Sequence, residues 1–469
     1  MQFAPSGIMR YRDFVLEIRS EERGVIRARV AASPAGDTGE FLLRLSISPA
    51  EIDDALASIT YSSGNFLKRS NLSANYDPVI RIGERLFHDL LHESMISRLF
   101  RQAQDMVQSR GEGLRLRFAA HDLEALALPW EFLFDGAQSS FLALSLRTPI
   151  VRWLMREPPV VLRPVAPPLR ILVVTAEVMD FEAQAEIEIL HELASRTGMF
   201  DVQVVEDATF PDLREALRTQ PCHILHFIGT GAYGSGRGRW SKVRPDDGIG
   251  PNQGLLLMGE HSRRKDKLED AEFVPATELR NLIETSAELR FVVLQACDSE
   301  AVAAELAQRT PAALGVRAKV LNATCQAMAR GLYEALAGGQ PLEAAVTAGR
   351  QAIDRQHAGT REWGLPTFYM SAPHGILLGP GTKGVLSSVL ESATLESSGS
   401  LALSTPTATA NQREVQRLQS LLEIESRNLD SLREQQAFLG SSTPEFILSQ
   451  IAAAEQTIAD LEAQLQALQ

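Results

Sequence analysis

Phe291-Val292-Val293-Leu294-Gln295-Ala296-Cys297-Asp298 is an apolar run of strand length that ends in a thiol. A buried parallel strand reads as such a run, and α/β proteins keep their chemistry where these strands meet the following turn. A second run, His223-Ile224-Leu225-His226-Phe227-Ile228-Gly229-Thr230-Gly231, ends in glycines that suit a tight loop, with Thr230 lying 67 residues before Cys297. In a thiol hydrolase that loop would present an imidazole, to take the thiol's proton and later return it to the leaving group. Thr230 stands there instead, and a hydroxyl accepts no proton near neutral pH. The two runs read as the frame of a thiol hydrolase with one catalytic part replaced.

Outward from these runs the rhythm is strand, helix, strand, helix. Arg170–Val174 reads as a short buried strand and Asp201–Val205 as a further strand, separated by a helical pattern over Phe181–Arg196. A helix over Asp212–Arg218, a strand at Leu255–Met258, a helix over Thr277–Glu284 and a further strand over Val316–Leu321 continue it. Helices over Cys325–Ala337 and Leu342–Gln356 follow. The alternation predicts an α/β fold, a mostly parallel sheet with helices on both faces.

Before residue 157 the patterns mix. Leu114-Arg115-Leu116-Arg117-Phe118 alternates with period two and predicts a half-exposed strand, residues 84–108 carry helical spacing, and Pro129-Trp130-Glu131-Phe132 reads as a packing corner. Residues 1–156 are therefore read as an α+β N-terminal region, a possible pseudo-half packed beside the later sheet. Residues 157–168 hold five prolines in twelve positions, which makes a stiff, extended linker. The α/β domain takes 169–380. Residues 381–411 form a Ser/Thr-rich tether, with eleven Ser or Thr among the twenty-three residues 387–409.

Residues 412–469 read as a helical hairpin with a narrow apolar seam. Ile447, Ile451, Ala454, Ile458, Leu461, Leu465 and Leu468 keep a three-four spacing, after Gly440 as a stop and Ser442-Thr443-Pro444-Glu445 as a start. Two helices bury little alone, so the seam calls for a helical partner or self-association; folding back on its own domain is the alternative.

At 469 residues the chain suits roughly three domains. No stretch is apolar and long enough to span a membrane, and Met1–Gly7 lacks a signal-peptide pattern, which places synthesis in the cytoplasm. A formal charge of -13 disfavours nucleic acid and anionic lipid as partners, leaving proteins. Cys222, Cys297 and Cys325 are an odd set without metal-ligand spacing, so neither a disulfide framework nor a metal site is expected. Glycines at 229, 231, 234, 236 and 238 suggest a nucleotide-binding loop only loosely, because no lysine-serine pair follows.

Four motifs in one order, Leu128-Pro129-Trp130-Glu131, Leu225-His226-Phe227-Ile228-Gly229-Thr230-Gly231, Val292-Val293-Leu294-Gln295-Ala296-Cys297-Asp298-Ser299 and Trp363-Gly364-Leu365-Pro366-Thr367-Phe368-Tyr369, resemble the CHAT family, caspase- and separase-like cysteine peptidases. The resemblance spans about residues 114–378. It implies a caspase-like fold, the nucleophile at Cys297, and an oxyanion hole from the backbone N–H groups of Gly231 and Cys297, which a side-chain change at 230 leaves in place. Family members usually carry His-Phe-x-Gly-His-Gly at the second motif, and its second histidine is the base. Thr230 occupies that position. His226 lies four residues earlier, about 13 Å away along an extended strand, and His261 sits in a loop.

Asp298 and Ser299 either tune the thiol and line a pocket, with Gly229 beside them, or cap a helix. Cys297 by itself also fits a small inert core residue. Cys222 and Cys325 read as core or helix-face residues. Two functions follow from the resemblance. One is an impaired peptidase fold, a scaffold or sensor in bacterial stress or defence signalling that holds a protein or peptide in the old groove. The other is a partner-activated cysteine endopeptidase with a non-standard base. Neither needs a cofactor or metal.

Overall fold

The computed structural model of the chain describes residues 8–22, 24–61, 77–91, 95–120, 125, 128–154, 160, 162–176, 181–233, 254–258, 272–357 and 359–379, with Arg433 and Leu465 beyond them. The chain divides into two compact units, Met1–Ser387 and Ser388–Gln469. The expected tether and helical hairpin lie outside the described residues, as does His261.

The strands are β1 (Tyr11–Glu22), β2 (Val25–Ala32), β3 (Phe41–Arg44), β4 (Gly113–Ala120), β5 (Phe134–Asp135), β6 (Ser140–Phe141), β7 (Ile150–Trp153), β8 (Leu169–Thr175), β9 (Phe200–Val205), β10 (Ile224–Tyr233), β11 (Gly254–Met258), β12 (Glu272–Pro275), β13 (Phe291–Cys297), β14 (Ala312–Val316) and β15 (Pro366–Met370). The helices are α1 (Pro49–Tyr61), α2 (Pro78–Leu91), α3 (Met95–Gln108), α4 (Phe181–Thr197), α5 (Phe210–Thr219), α6 (Ala276–Ile283), α7 (Glu300–Leu306), α8 (Asn322–Ala337) and α9 (Leu342–Gln356). One mixed sheet runs β3-β2-β1-β4-β7-β15-β14-β13-β10-β8-β9, and β11 and β12 extend the end of β10. From β1 through β4, β7 and β15, and again from β14 through β13, β10, β8 and β9, neighbours are parallel.

The central parallel strands β13 and β14 are buried on both faces, as their unbroken apolar runs require, while the edge strand β9 keeps exposed residues. Ile187 and Leu190 of α4, Leu332 of α8 and Val346 of α9 join the core on one face. Leu213 of α5, Leu279 of α6 and Val302 of α7 join the core on the other. The expected strand over Val316–Leu321 falls earlier, at Ala312–Val316, because the small run Ala-Ala-Leu-Gly-Val fits a fully buried slot.

The period-two reading of Leu114–Phe118 holds for the strand and fails for its exposure. β4 is buried on both faces, Arg115 and Arg117 included. Their charges are met inside. Arg115 donates to Asp13 at 2.7 Å and to Glu343 at 2.5 Å, and Arg117 pairs with Asp13 at 2.9 Å while its guanidinium lies 4.6 Å from the Trp153 ring centre. Alternation marks two different surroundings, and here the polar one is an ionic seam rather than water.

β15 comes from the far end of this unit and lies between β14 and β7, with Tyr369 opposite Arg152 and Met370 opposite Trp153. Arg152 is wholly buried and donates to Glu131 from Nε at 2.9 Å and from Nη2 at 2.6 Å. Burial by itself would raise the Glu131 pKa, but Arg152, with Arg317 and Arg350 farther off, holds it below the usual carboxylate range. Arg350 donates to the Pro366 carbonyl at 2.8 Å and stands 3.8 Å from Glu131, and burial pushes its pKa down to about 10. Glu131→Ala leaves Arg152 and Arg350 buried without their carboxylate. The expected loss is about 3–5 kcal/mol of stability, read from the midpoint of urea unfolding.

Candidate functional site

β10 and β13 pair in parallel, with Ile224 opposite Phe291 and Thr230 opposite Cys297. Parallel neighbours lie about 4.8 Å apart and directly opposed residues share a face, so the register sets the Thr230 hydroxyl beside the thiol. Both residues are half-buried, and the parts of the two strands that lead up to them, residues 224–227 and 291–296, are buried. This is the carboxyl edge of the sheet, where α/β folds place their sites.

Past Thr230 the backbone of β10 changes partner. Gly231 pairs with Leu256 of β11, and the turn after β13 lies directly upon it. A Cβ at Gly231 would stand 2.6 Å from the Cys297 carbonyl oxygen and 3.2 Å from the Ser299 nitrogen. Only a hydrogen fits there, so the glycine follows from close approach. The two backbone segments expected to form the oxyanion hole are packed against one another. Gly229, one step before Thr230, backs onto Phe227 and Ala176.

The turn itself is strained and stapled. Asp298 adopts φ 55, the left-handed region that a non-glycine residue enters at a cost. Ser299 is completely buried; its hydroxyl accepts the Val316 N–H at 3.0 Å and donates to the Leu294 carbonyl at 3.4 Å. Ser299 thus occupies the residue before α7 without capping it, and its hydroxyl is spent on holding the turn. Glu300 then pairs with Arg317 through two bonds of 2.8 and 2.6 Å and accepts the Tyr369 hydroxyl at 3.2 Å.

Two histidines of β10 are engaged elsewhere. His226 is wholly buried, with Nδ1 2.8 Å from the Tyr333 hydroxyl on α8 and Nε2 2.9 Å from Glu186 on α4. A neutral ring satisfies both contacts, accepting from the tyrosine and donating to the carboxylate. His223 lies at the opposite end of the strand, where its Nδ1 accepts the Arg170 N–H at 3.0 Å and burial lowers its pKa. Among the described residues no three His, Cys, Asp or Glu side chains gather as a metal site.

The structure adds a residue that the sequence reading set aside. The Gln295 side chain, on the same face of β13 as Cys297, donates to the Cys325 carbonyl at 3.3 Å. Cys325 therefore sits in the first turn of α8 over the end of β13. Burial pushes its thiol pKa well up, and Glu186, Cys297 and Glu362 add to the rise. No local pattern marked it, because the return of α8 over the face of Gln295 and Cys297 is a matter of the chain's path.

The last sequence motif packs against the aromatic residues that follow the first. Trp363 packs 5.4 Å from Phe132 and 4.7 Å from Phe141 between ring centres, and Gly364 lies against the Phe132 ring. The CHAT-domain family model matches residues 81–373, more than half of the chain and all four motifs. The chain belongs to the CHAT-domain family. Two crystal structures of the Saccharomyces cerevisiae separase–securin complex are similar to this CHAT-domain chain, each at 11% identity with TM-scores of 0.41 and 0.40. They cover 76% and 77% of this chain, which spans 30% of the length of theirs. No curated protein matches it. No described helix of the CHAT-domain chain is long and apolar enough to cross a membrane.

Burial raises the Asp298 pKa, with Lys319 partly opposing it. Below the unfolded value near 4 both states carry the proton and stability is unaffected; as pH rises through the folded value, the folded state bears a poorly solvated charge and loses stability. Asp298→Asn keeps a residue suited to the left-handed region and removes that charge. It should melt higher than the unsubstituted chain at pH 7 and equally at about pH 3. Asp298→Ala, which keeps the strain, should cost about 1 kcal/mol at about pH 3 and less at pH 7, where it also removes the poorly solvated charge, measured by urea unfolding.

Proposed function

We propose that this CHAT-domain chain is a cysteine-peptidase fold without ordinary hydrolysis, which holds a peptide segment of a partner protein in the groove at Cys297. It acts as a scaffold or sensor, within stress or defence signalling of the kind the family resemblance implies. The observation that carries the reading is Thr230, in register with Cys297 at the place of the family's histidine. A thiol attacks as thiolate, and the leaving amine needs a proton; an imidazole handles both steps near neutral pH and a threonine hydroxyl handles neither. His226, on the same strand and face, is bonded to Tyr333 and Glu186 in the interior. Backbone donors at Gly231 and Cys297 require no side chain, so a groove that grips a carbonyl is compatible with loss of the base.

A diverse peptide library tests this with three chains: unsubstituted, Cys297→Ala and Thr230→His. The unsubstituted chain should bind peptides and give no cysteine-dependent cleavage. Thr230→His should gain cleavage by at least about 100-fold, rising with pH through the ordinary histidine range. Cleavage by the unsubstituted chain that disappears in Cys297→Ala would overturn the reading in favour of a partner- or loop-supplied base.

A further inference from the structure

We propose that Cys297 and Cys325 are a redox pair, a modification site at the mouth of the groove that a peroxide closes into a reversible disulfide. The inference goes beyond the peptide-binding reading and stands whether or not the groove hydrolyses anything.

Geometry carries it. Val293, Gln295 and Cys297 alternate onto one face of β13, and α8 covers that face with its first turn over the strand's end. The 3.3 Å bond from the Gln295 side-chain amide to the Cys325 carbonyl holds the first turn of α8 over this face, and Gln295 and Cys297 are successive residues on it. Cys297 is half-buried, so a small oxidant reaches it. Cys222 is excluded by position. It is buried in the core on the other face of the sheet, where burial pushes its thiol up to about 12.

The two sulfurs take different parts. Cys325 is held protonated by burial and by the carboxylates Glu186 and Glu362, which makes Cys297 the sulfur that reacts first. The few per cent of an unassisted thiol that is ionised at pH 7 suffices for this slower step, which has no leaving amine to protonate. The Cys297 thiolate attacks one peroxide oxygen, the O–O bond breaks, and the departing hydroxide takes the proton that the thiol released to become water. Cys297 is now a sulfenic acid, oxidised by two electrons. The Cys325 sulfur attacks the sulfenic sulfur, the S–O bond breaks, and the leaving hydroxide carries off the Cys325 proton as a second water. The sum is two thiols and one hydrogen peroxide giving one disulfide and two waters. Closure requires the Cα atoms to stand about 4.4–6.8 Å apart, which the first turn of α8 and the end of β13 must supply. Disulfides of intracellular proteins are characteristically transient and redox-sensing, which fits a bond that masks and releases one thiol.

The full chain is treated with hydrogen peroxide, unfolded, alkylated and mapped by mass spectrometry. Of its three cysteines, Cys222 should remain alkylatable, while alkylation of Cys297 and of Cys325 should each fall by at least about tenfold. A linked peptide containing both residues should appear, and dithiothreitol should restore both thiols. Cys325→Ser should abolish the linked peptide and leave Cys297 as a sulfenic acid that dimedone traps, and Cys222→Ser should change nothing. The proposal is overturned if Cys297 is oxidised while Cys325 stays alkylatable in the unsubstituted chain. It is equally overturned if dimedone traps no sulfenic acid at Cys297 in Cys325→Ser, or if the linked peptides join Cys297 to Cys222 or to a second chain.

Discussion

The register between β10 and β13 governs this molecule's chemistry. Parallel pairing leaves no freedom once Ile224 faces Phe291: six steps later Thr230 must face Cys297, and Gly231 must lie under the turn that follows. A slip by one residue would send every side chain of β10 to the opposite face and unpack both cores. Whatever residue stands at 230 therefore meets the thiol, and its identity decides whether a proton can be exchanged there. The ladder delivers a neighbour; it has no influence over which neighbour the sequence supplies.

A second constraint holds the ladder in place. Glu131, Arg152 and Arg350 form a buried ionic cluster where the N-terminal strands join β15. Tyr369 stands beside Arg152 on the neighbouring strand and reaches Glu300, which with Arg317 fixes the start of α7. The turn carrying Asp298 is thus tied to both halves of the sheet through charged groups, of which Glu131, Arg152 and Arg350 are wholly buried. Charged groups so deeply placed are weak contributors to net stability when complete and damaging when broken. Their value is geometric, in that only one arrangement satisfies all of them.

The sequence made the α/β alternation and the strand ends legible because fully buried strands cannot hide their composition. β8, β9, β10, β11 and β13 were all visible as apolar runs, and the site is built where two of them stop. The charged seam was illegible for a related reason. Arg115 and Arg117 look solvated in any local window, and Asp13, which neutralises both, lies about a hundred residues away along the chain. Ser299 was open between pocket and cap, and a partner on β14, outside any local pattern, decided its role. Cys325 had no distinguishing neighbours in sequence, since its placement over β13 depends on the path of α8 rather than on its own helix.

One strand inserted out of order has a further effect. β15 comes from the end of the first unit, yet it is the strand that touches β7, with the Leu154 N–H adding a bond to the Met370 carbonyl at 3.1 Å. The covalent join between Trp153 and Leu169 is therefore redundant with a non-covalent one. A protease that nicks the proline-rich stretch would leave two fragments gripping each other like interlaced fingers, and gel filtration would still report an intact particle although denaturing electrophoresis showed two bands.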